Sequence, residues 1–251
     1  MIKKIFIEKK NIGNILLIKK KLKKYNLCVL KNFYDKKHQL ILYKFLKKSF
    51  QKKKDIRVSG DFIYKMKDFR RLDVGDSYIN SRFARFMSIN EWEKNNKPIL
   101  KSIEKIINVR NKICNYKKEN FFYTNIKRKE KNFYWCDGIR MIQYPTGGGY
   151  LSKHTDDTSF FPPGLVNCLL PISSKNKKDK ELNLYETGGI YYHLKNKKII
   201  LDDHLNTGDL ILHTKNISHG VHSVDPQKKL DLERLSGRIT INFSIIKFYK
   251  K

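Results

Sequence analysis

The sequence predicts an α+β protein in which β dominates: a helical and loop-rich support over residues 1–130, then a sandwich or barrel of short strands over residues 131–251. Two patterns carry this reading. Between residues 11 and 113, three separate stretches repeat apolar residues at helical spacing. From Phe133 onward the apolar residues fall in short runs between Pro, Gly and Asn-Thr-Gly turns, which is how many short strands read. With 251 residues, 40% of them hydrophobic, the chain can bury the core of one domain.

Residues 1–8 alternate loosely and read as a short strand. Residues 11–25 put Ile12, Ile15, Leu16 and Leu22 at helical spacing with lysines between them. Residues 27–30 are a compact apolar run, a buried strand. Asp35 can cap a helix reaching about Phe50, with Leu40, Ile41, Leu42, Phe45 and Leu46 inward. Residues 52–88 show no period and read as a long loop, a place where function often sits. They carry Arg70, Arg71, Arg82 and Arg85. Asn96-Lys97-Pro98 reads as a cap and first turn, the Asn side chain accepting. The helix it opens runs to about Ile113, with Ile99, Leu100, Ile103, Ile106 and Ile107 on one side. Residues 121–126 and 133–144 read as a hairpin. Strands are then expected over 165–172, 189–194, 198–201, 209–213, 220–224 and 237–246, with no further helix.

The formal net charge is +30. More than half of the excess precedes residue 55, and lysine far outnumbers arginine; from Arg140 onward there are 17 Lys and Arg against 11 Asp and Glu. The lysines therefore read as a solvated face before they read as a nucleic-acid patch. Cys28, Cys114, Cys136 and Cys168 are far apart and form no CxxC, so neither a zinc site nor a disulfide framework is indicated. Free thiols fit a reducing compartment, and no apolar run is long enough for a signal or a membrane span. A soluble, cytoplasmic protein is expected.

The chemistry concentrates in RMIQYPTGGGYLSKHTDD, residues 140–157. His154 and Asp156 are two residues apart, and on a strand such residues share a face. A third ligand is available from His213, His219 or His222. A two-His, one-carboxylate set suits Fe(II) and leaves positions open. On the last strand Arg238, Thr240, Asn242 and Ser244 fall on one face, and Ile239, Ile241, Phe243 and Ile245 on the other. A guanidinium binds a carboxylate bidentately and stays charged when buried. Arg238 and Thr240 therefore read as a carboxylate-binding pair. His193 and His204 read as surface or packing residues, and Gly147-Gly148-Gly149 as a tight loop.

These elements resemble the Fe(II)/2-oxoglutarate-dependent dioxygenases, nearest in local pattern to the prolyl-hydroxylase-like branch. The matching residues are Tyr144-Pro145 with the following glycines, His154-x-Asp156, Gly188-Gly189 opening a strand, Gly208-Asp209-Leu210-Ile211-Leu212, His219-Gly-Val221, and Gly237-Arg238-Ile-Thr240. The resemblance implies a double-stranded β-helix (jelly-roll) core with the N-terminal helices packed on one sheet. It implies iron held by His154, Asp156 and His219. It implies 2-oxoglutarate with its far carboxylate on Arg238, helped by Thr240 and Tyr144, and O2 as second cosubstrate, ascorbate being a candidate reductant. His222 would brace the ligand His219, and His213 would line the barrel. There are departures. Residues 166–172 lack the tyrosine that some relatives use on 2-oxoglutarate, and Ser223 stands where proline is usual. Asp156 speaks against a halogenase. The expected reaction is hydroxylation or another oxidation of a C–H bond in a small metabolite, with release of succinate and CO2. The alternatives are the same chemistry on a nucleic acid, peptide or protein, or a non-catalytic jelly-roll binding protein.

Overall fold

A computed structural model describes residues 2–56, 66–75, 81–118, 124–125, 133–156, 161–175, 177, 179–195 and 197–249. Its strands are β1 (Phe6–Ile7), β2 (Leu27–Leu30), β3 (Arg70–Asp73), β4 (Ser81–Arg82), β5 (Ala84–Ser88), β6 (Lys117–Lys118), β7 (Thr124–Asn125), β8 (Phe133–Tyr144), β9 (Gly149–His154), β10 (Val166–Pro171), β11 (Gly189–Leu194), β12 (Lys197–Ile200), β13 (Leu210–Thr214), β14 (His219–Val224) and β15 (Arg238–Tyr249). The helices are α1 (Ile15–Tyr25), α2 (Lys36–Gln51) and α3 (Lys97–Cys114). The large sheet has the order β1-β2-β13-β10-β15-β8-β5-β3, and the small one β12-β11-β14-β9-β4.

The eight strands from β8 to β15 pass back and forth between the sheets, with β11 and β12 forming a hairpin in the small one, and wind into a double-stranded β-helix. Within the large sheet they lie as β13-β10-β15-β8, and within the small one as β12-β11-β14-β9. The long β15 fixes the frame, pairing with β8 from Arg238↔Tyr144 to Tyr249↔Phe133 and with β10 on its other side.

The two faces of β15 explain its sequence. Ile239, Ile241 and Phe243 are fully buried against the helices, together with Leu42 and Leu46 of α2 and Ile103, Ile106 and Ile107 of α3. Arg238, Thr240, Asn242 and Ser244 therefore face the space between the sheets. The polar face of this strand points into the barrel and not to water. Each helix presents one apolar stripe to the sheet, and burial of that stripe supplies most of its stability. Asn14 caps α1 by accepting from Leu17, and Asp35 caps α2 by accepting from His38. Asn26 and Asn115, both left-handed, end α1 and α3.

Several expectations are corrected. Residues 52–88 are not one loop: β3 and β5 pair and extend the large sheet beyond β8, and β4 pairs with β9. Their short, arginine-rich sequences hide the period. Only residues 6–7 of the first eight are strand. Ile41 does not face inward but is half-exposed, since Leu42, Leu46 and Phe50 already fill the stripe. The Asn96 side chain does not accept at the helix start; it donates to Asp68 and to the Asn90 carbonyl. The hairpin partner expected over 121–126 lies outside the described residues except for Thr124–Asn125, which pairs with Lys117–Lys118. Asp157 also lies outside them. No helix among the described residues is long and apolar enough to cross a membrane.

Candidate metal and cosubstrate site

β9 and β14 are neighbours in the small sheet, and their register sets His154 opposite His219. Asp156 follows two residues after His154. The three side chains bring one ligand atom each within 4.8 Å of one another. His219 is buried, and His154 and Asp156 are half-buried, so the group opens to one side.

Hydrogen bonds orient all three. The Nδ1 of His154 lies 2.9 Å from the Ser152 carbonyl and that of His219 lies 3.0 Å from the Ile217 carbonyl. A carbonyl can only accept, so each Nδ1 carries the proton and each Nε2 offers a lone pair. Asn167 on β10 donates to Asp156 Oδ2 at 2.7 Å. Ser244 on β15 donates to Asn167 Oδ1 at 3.0 Å, which fixes the amide so that its NH2 faces the carboxylate. Burial, reinforced by His213, holds the His219 pKa well below the usual imidazole range, Asp156 opposing only in part. Burial likewise lowers His213. Neutral imidazoles are what a cation needs. Two such nitrogens and a carboxylate, with an open side, fit a divalent iron ion.

Arg238 is buried at the start of β15, its cross-strand neighbour being Tyr144. Its Nε donates to Asp202 Oδ2 at 2.7 Å, Nη2 to Asp202 Oδ1 at 3.3 Å, and Nη1 to Thr240 Oγ1 at 2.7 Å. Burial alone would lower the Arg238 pKa; Asp202 more than offsets it and raises it. A guanidinium has five N–H donors. Three are used here, which leaves one on each Nη for a further acceptor such as a second carboxylate. Asp202 therefore orients Arg238 and does not close it. Asp202 itself also accepts from Tyr185 at 2.7 Å and from the Ile190 N–H at 3.0 Å.

Tyr192 of β11 completes the arrangement. Its ring stacks on His219, with centroids 5.5 Å apart. It is fully buried, and among the described residues its hydroxyl has no hydrogen-bond partner. Burial raises its pKa far above the usual phenol range, so it stays a donor. A buried, unpaired hydroxyl near Arg238 suits a ligand that carries acceptors. This fits 2-oxoglutarate, and residues 166–172, which hold no tyrosine, lie in the facing sheet.

The structure gathers His154, Asp156 and His219 into one group and Arg238, Thr240 and Tyr144 into a second, with Tyr192 near both. His213 lines the barrel, its Nδ1 3.9 Å from Asp156 Oδ2. His222 does not brace His219. It packs on Tyr191 on the outside of the small sheet, and the Ile217 carbonyl does the bracing. Asp202, Asn167, Tyr185 and Tyr192 were not found by sequence reasoning. Gly188-Gly189 was the available signal for Asp202. A Cβ on Gly189 would lie 2.6 Å from the Asp202 carboxylate, so the glycine makes room for it.

No protein-family model matches the sequence, and no curated protein is similar to it. Solved structures are. A prolyl hydroxylase from Trichoplax adhaerens, in complex with a hypoxia inducible factor peptide fragment, superposes with a TM-score of 0.56 at 14% identity, over 94% of this chain and 90% of that one. A Pseudomonas putida prolyl-4-hydroxylase gives 0.53 at 8% identity, over 92% and 98%. The epimerase SnoN, in complex with Fe3+, alpha ketoglutarate and nogalamycin RO, gives 0.57 at 7% identity, over 95% and 87%. The fold is that of the 2-oxoglutarate/Fe(II) oxygenases.

Proposed function

We propose that this protein is an Fe(II)- and 2-oxoglutarate-dependent dioxygenase that oxidises a C–H bond of a small molecule. One observation carries the reading. Two imidazoles and a carboxylate bring one ligand atom each within 4.8 Å of one another, and a buried arginine with two N–H donors to spare shares with them the neighbour Tyr192. Neither half alone calls for a metal and a dicarboxylate together. Such a centre supplies oxidative decarboxylation of 2-oxoglutarate to succinate and CO2, one atom of O2 entering succinate and the other the substrate.

The chain's own residues have separable tasks. His154, Asp156 and His219 hold the metal, with the Ser152 and Ile217 carbonyls and Asn167 fixing their directions. Arg238, Thr240 and the Tyr144 and Tyr192 hydroxyls receive the far carboxylate. Asp202 keeps Arg238 from swinging. Buried Leu169, Ile190 and Val221 keep water from the floor of the site. Ascorbate would serve as reductant. A peptide substrate is the second reading, motivated by the peptide bound to the Trichoplax hydroxylase.

The test is anaerobic addition of Fe(II) and then 2-oxoglutarate, watching for the weak visible metal-to-ligand charge-transfer band. The band is expected for wild type, absent for His219→Ala, and shifted to much higher 2-oxoglutarate for Arg238→Ala. A wild type without the band sinks the oxygenase reading.

A further inference from the structure

Along the inner face of the large sheet, where β5, β8 and β15 meet, lies a small cleft. Its walls include Phe69, Phe86 and Phe248, with Arg71 and Arg140 at its polar side. Arg140 sits on β8 four residues before Tyr144, opposite Asn242 of β15, so it shares the inward face of the metal and cosubstrate residues.

The two arginines differ in their partners. Arg71 is tied to Asp73, with Nε 2.9 Å from Oδ1 and Nη2 donating to Oδ2 at 3.0 Å. Arg140 has no carboxylate within salt-bridge distance among the described residues, and its shielded Nε lacks any acceptor. Both guanidinium groups lie over the ring of Phe86, at 5.1 and 5.7 Å, which holds them without neutralising them. Beside Arg140, the buried Oδ1 of Asn242 lacks a donor. Burial and the charge of Arg71 lower the Arg140 pKa, and Asp156 opposes this from across the site. That help ends when Asp156 takes a metal ion. A guanidinium cannot shed its proton and is costly to shield unpaired. Among the described residues nothing supplies the anion this side chain is placed to meet.

We propose that this cleft is the substrate subsite and that it takes an organic anion, a carboxylate or phosphate ester, on Arg140, with an apolar or aromatic body against Phe69, Phe86 and Phe248. The inference rests on the dioxygenase reading for its catalytic meaning, but not for the binding itself.

The test is binding to the full chain of phenylacetate, phenyl phosphate and the uncharged phenylacetamide, by ligand-observed NMR and calorimetry. The anions are expected to bind at least about tenfold more tightly than the amide, and the tighter anion identifies the group. Arg140→Met should remove that preference and Arg140→Lys keep part of it. Arg238→Met should leave it intact. In Arg140→Met, the 2-oxoglutarate needed for the charge-transfer band should not change. Equal binding of anion and amide by wild type overturns the proposal, and needs no variant to fold. So does loss of anion binding in Arg238→Met, or a raised 2-oxoglutarate requirement in Arg140→Met, since either moves the anion to the cosubstrate site. His219→Ala should lose the metal and keep the anion preference. A wild type that binds the anions but shows no charge-transfer band would fail the dioxygenase reading alone.

Discussion

Replacing Asp202 by Asn tests whether the buried Arg238 pair does what its geometry implies. Three donors converge on Asp202 Oδ2: Arg238 Nε, the Tyr185 hydroxyl and the Ile190 N–H. An Asn oxygen could keep that position. Its NH2 would then sit where Oδ1 accepts from Arg238 Nη2, donor against donor. Both side chains of the pair are 3% exposed, so water cannot compensate. Removing one member of such a pair costs about 3–5 kcal/mol. For a chain of this size that is a fall in Tm of roughly 6–20 °C. The freed charge should then attract dicarboxylates. Millimolar 2-oxoglutarate or succinate should therefore raise the Tm of metal-free Asp202→Asn more than that of wild type, by ordinary ligand linkage. Differential scanning fluorimetry with and without dicarboxylate reads both effects. A variant that melts within a degree or two of wild type, or that gains nothing extra from the dicarboxylate, refutes the role given to Asp202.

Tyr192→Phe should leave metal-free stability unchanged or raise it by about 1 kcal/mol, because it deletes an unsatisfied buried hydroxyl; denaturant unfolding checks this. The same variant should need several-fold more 2-oxoglutarate to develop the charge-transfer band, whereas a merely structural hydroxyl would leave that titration unmoved. Gly189→Ala forces a Cβ to within 2.6 Å of the Asp202 carboxylate at φ +111, so it should displace Asp202 and lower Tm in the direction of Asp202→Asn, with the two changes not additive in the double variant. Far from the site, Arg110 of α3 and Asp137 of β8 form an ion pair with both side chains fully buried. Arg110→Met alone should cost about 3–5 kcal/mol by urea denaturation, and adding Asp137→Leu should recover most of it.

What the sequence made legible follows from locality. His154-x-Asp156 shares a face of one strand, and Arg238 and Thr240 share a face of another, so strand alternation alone predicts each pair. The helices over 15–25, 36–51 and 97–114 were visible because each carries one apolar stripe. Asp202 was not visible, because it lies in a short turn after β12 and reaches Arg238 across 36 residues of sequence. Tyr192 was hidden within Tyr191-Tyr192, two identical residues whose opposite orientations depend on strand register. Asn167 reads as an ordinary polar residue in an apolar strand until β10 is seen between β13 and β15. His222 was misjudged for a related reason. Three residues from a ligand is close in sequence, but on a strand an odd separation turns the side chain to the other face.

The charges around the site also set an order of events. Arg71, Arg140 and Arg238 stand against Asp73, Asp156 and Asp202, while burial keeps His213 and His219 neutral. Among the described residues, three cations and three anions balance on this inner face before anything binds. A divalent metal ion on His154, Asp156 and His219 makes it +2, in a setting where charges are poorly screened. A dicarboxylate then finds a matching site that did not exist before the metal, with its far end on an arginine already oriented. This is why dicarboxylate should do little for the metal-free wild type and more for Asp202→Asn, whose inner face carries one uncompensated positive charge. Once the dianion is in place the total returns to zero, but not locally. The surplus negative charge would lie at Arg238, already paired with Asp202, and the surplus positive charge at Arg140, which faces Asn242 four residues along β15 from Arg238. That separation leaves one cation facing the cleft after the cosubstrate is bound. A neutral substrate would leave it unpaired, and an anionic one would complete it.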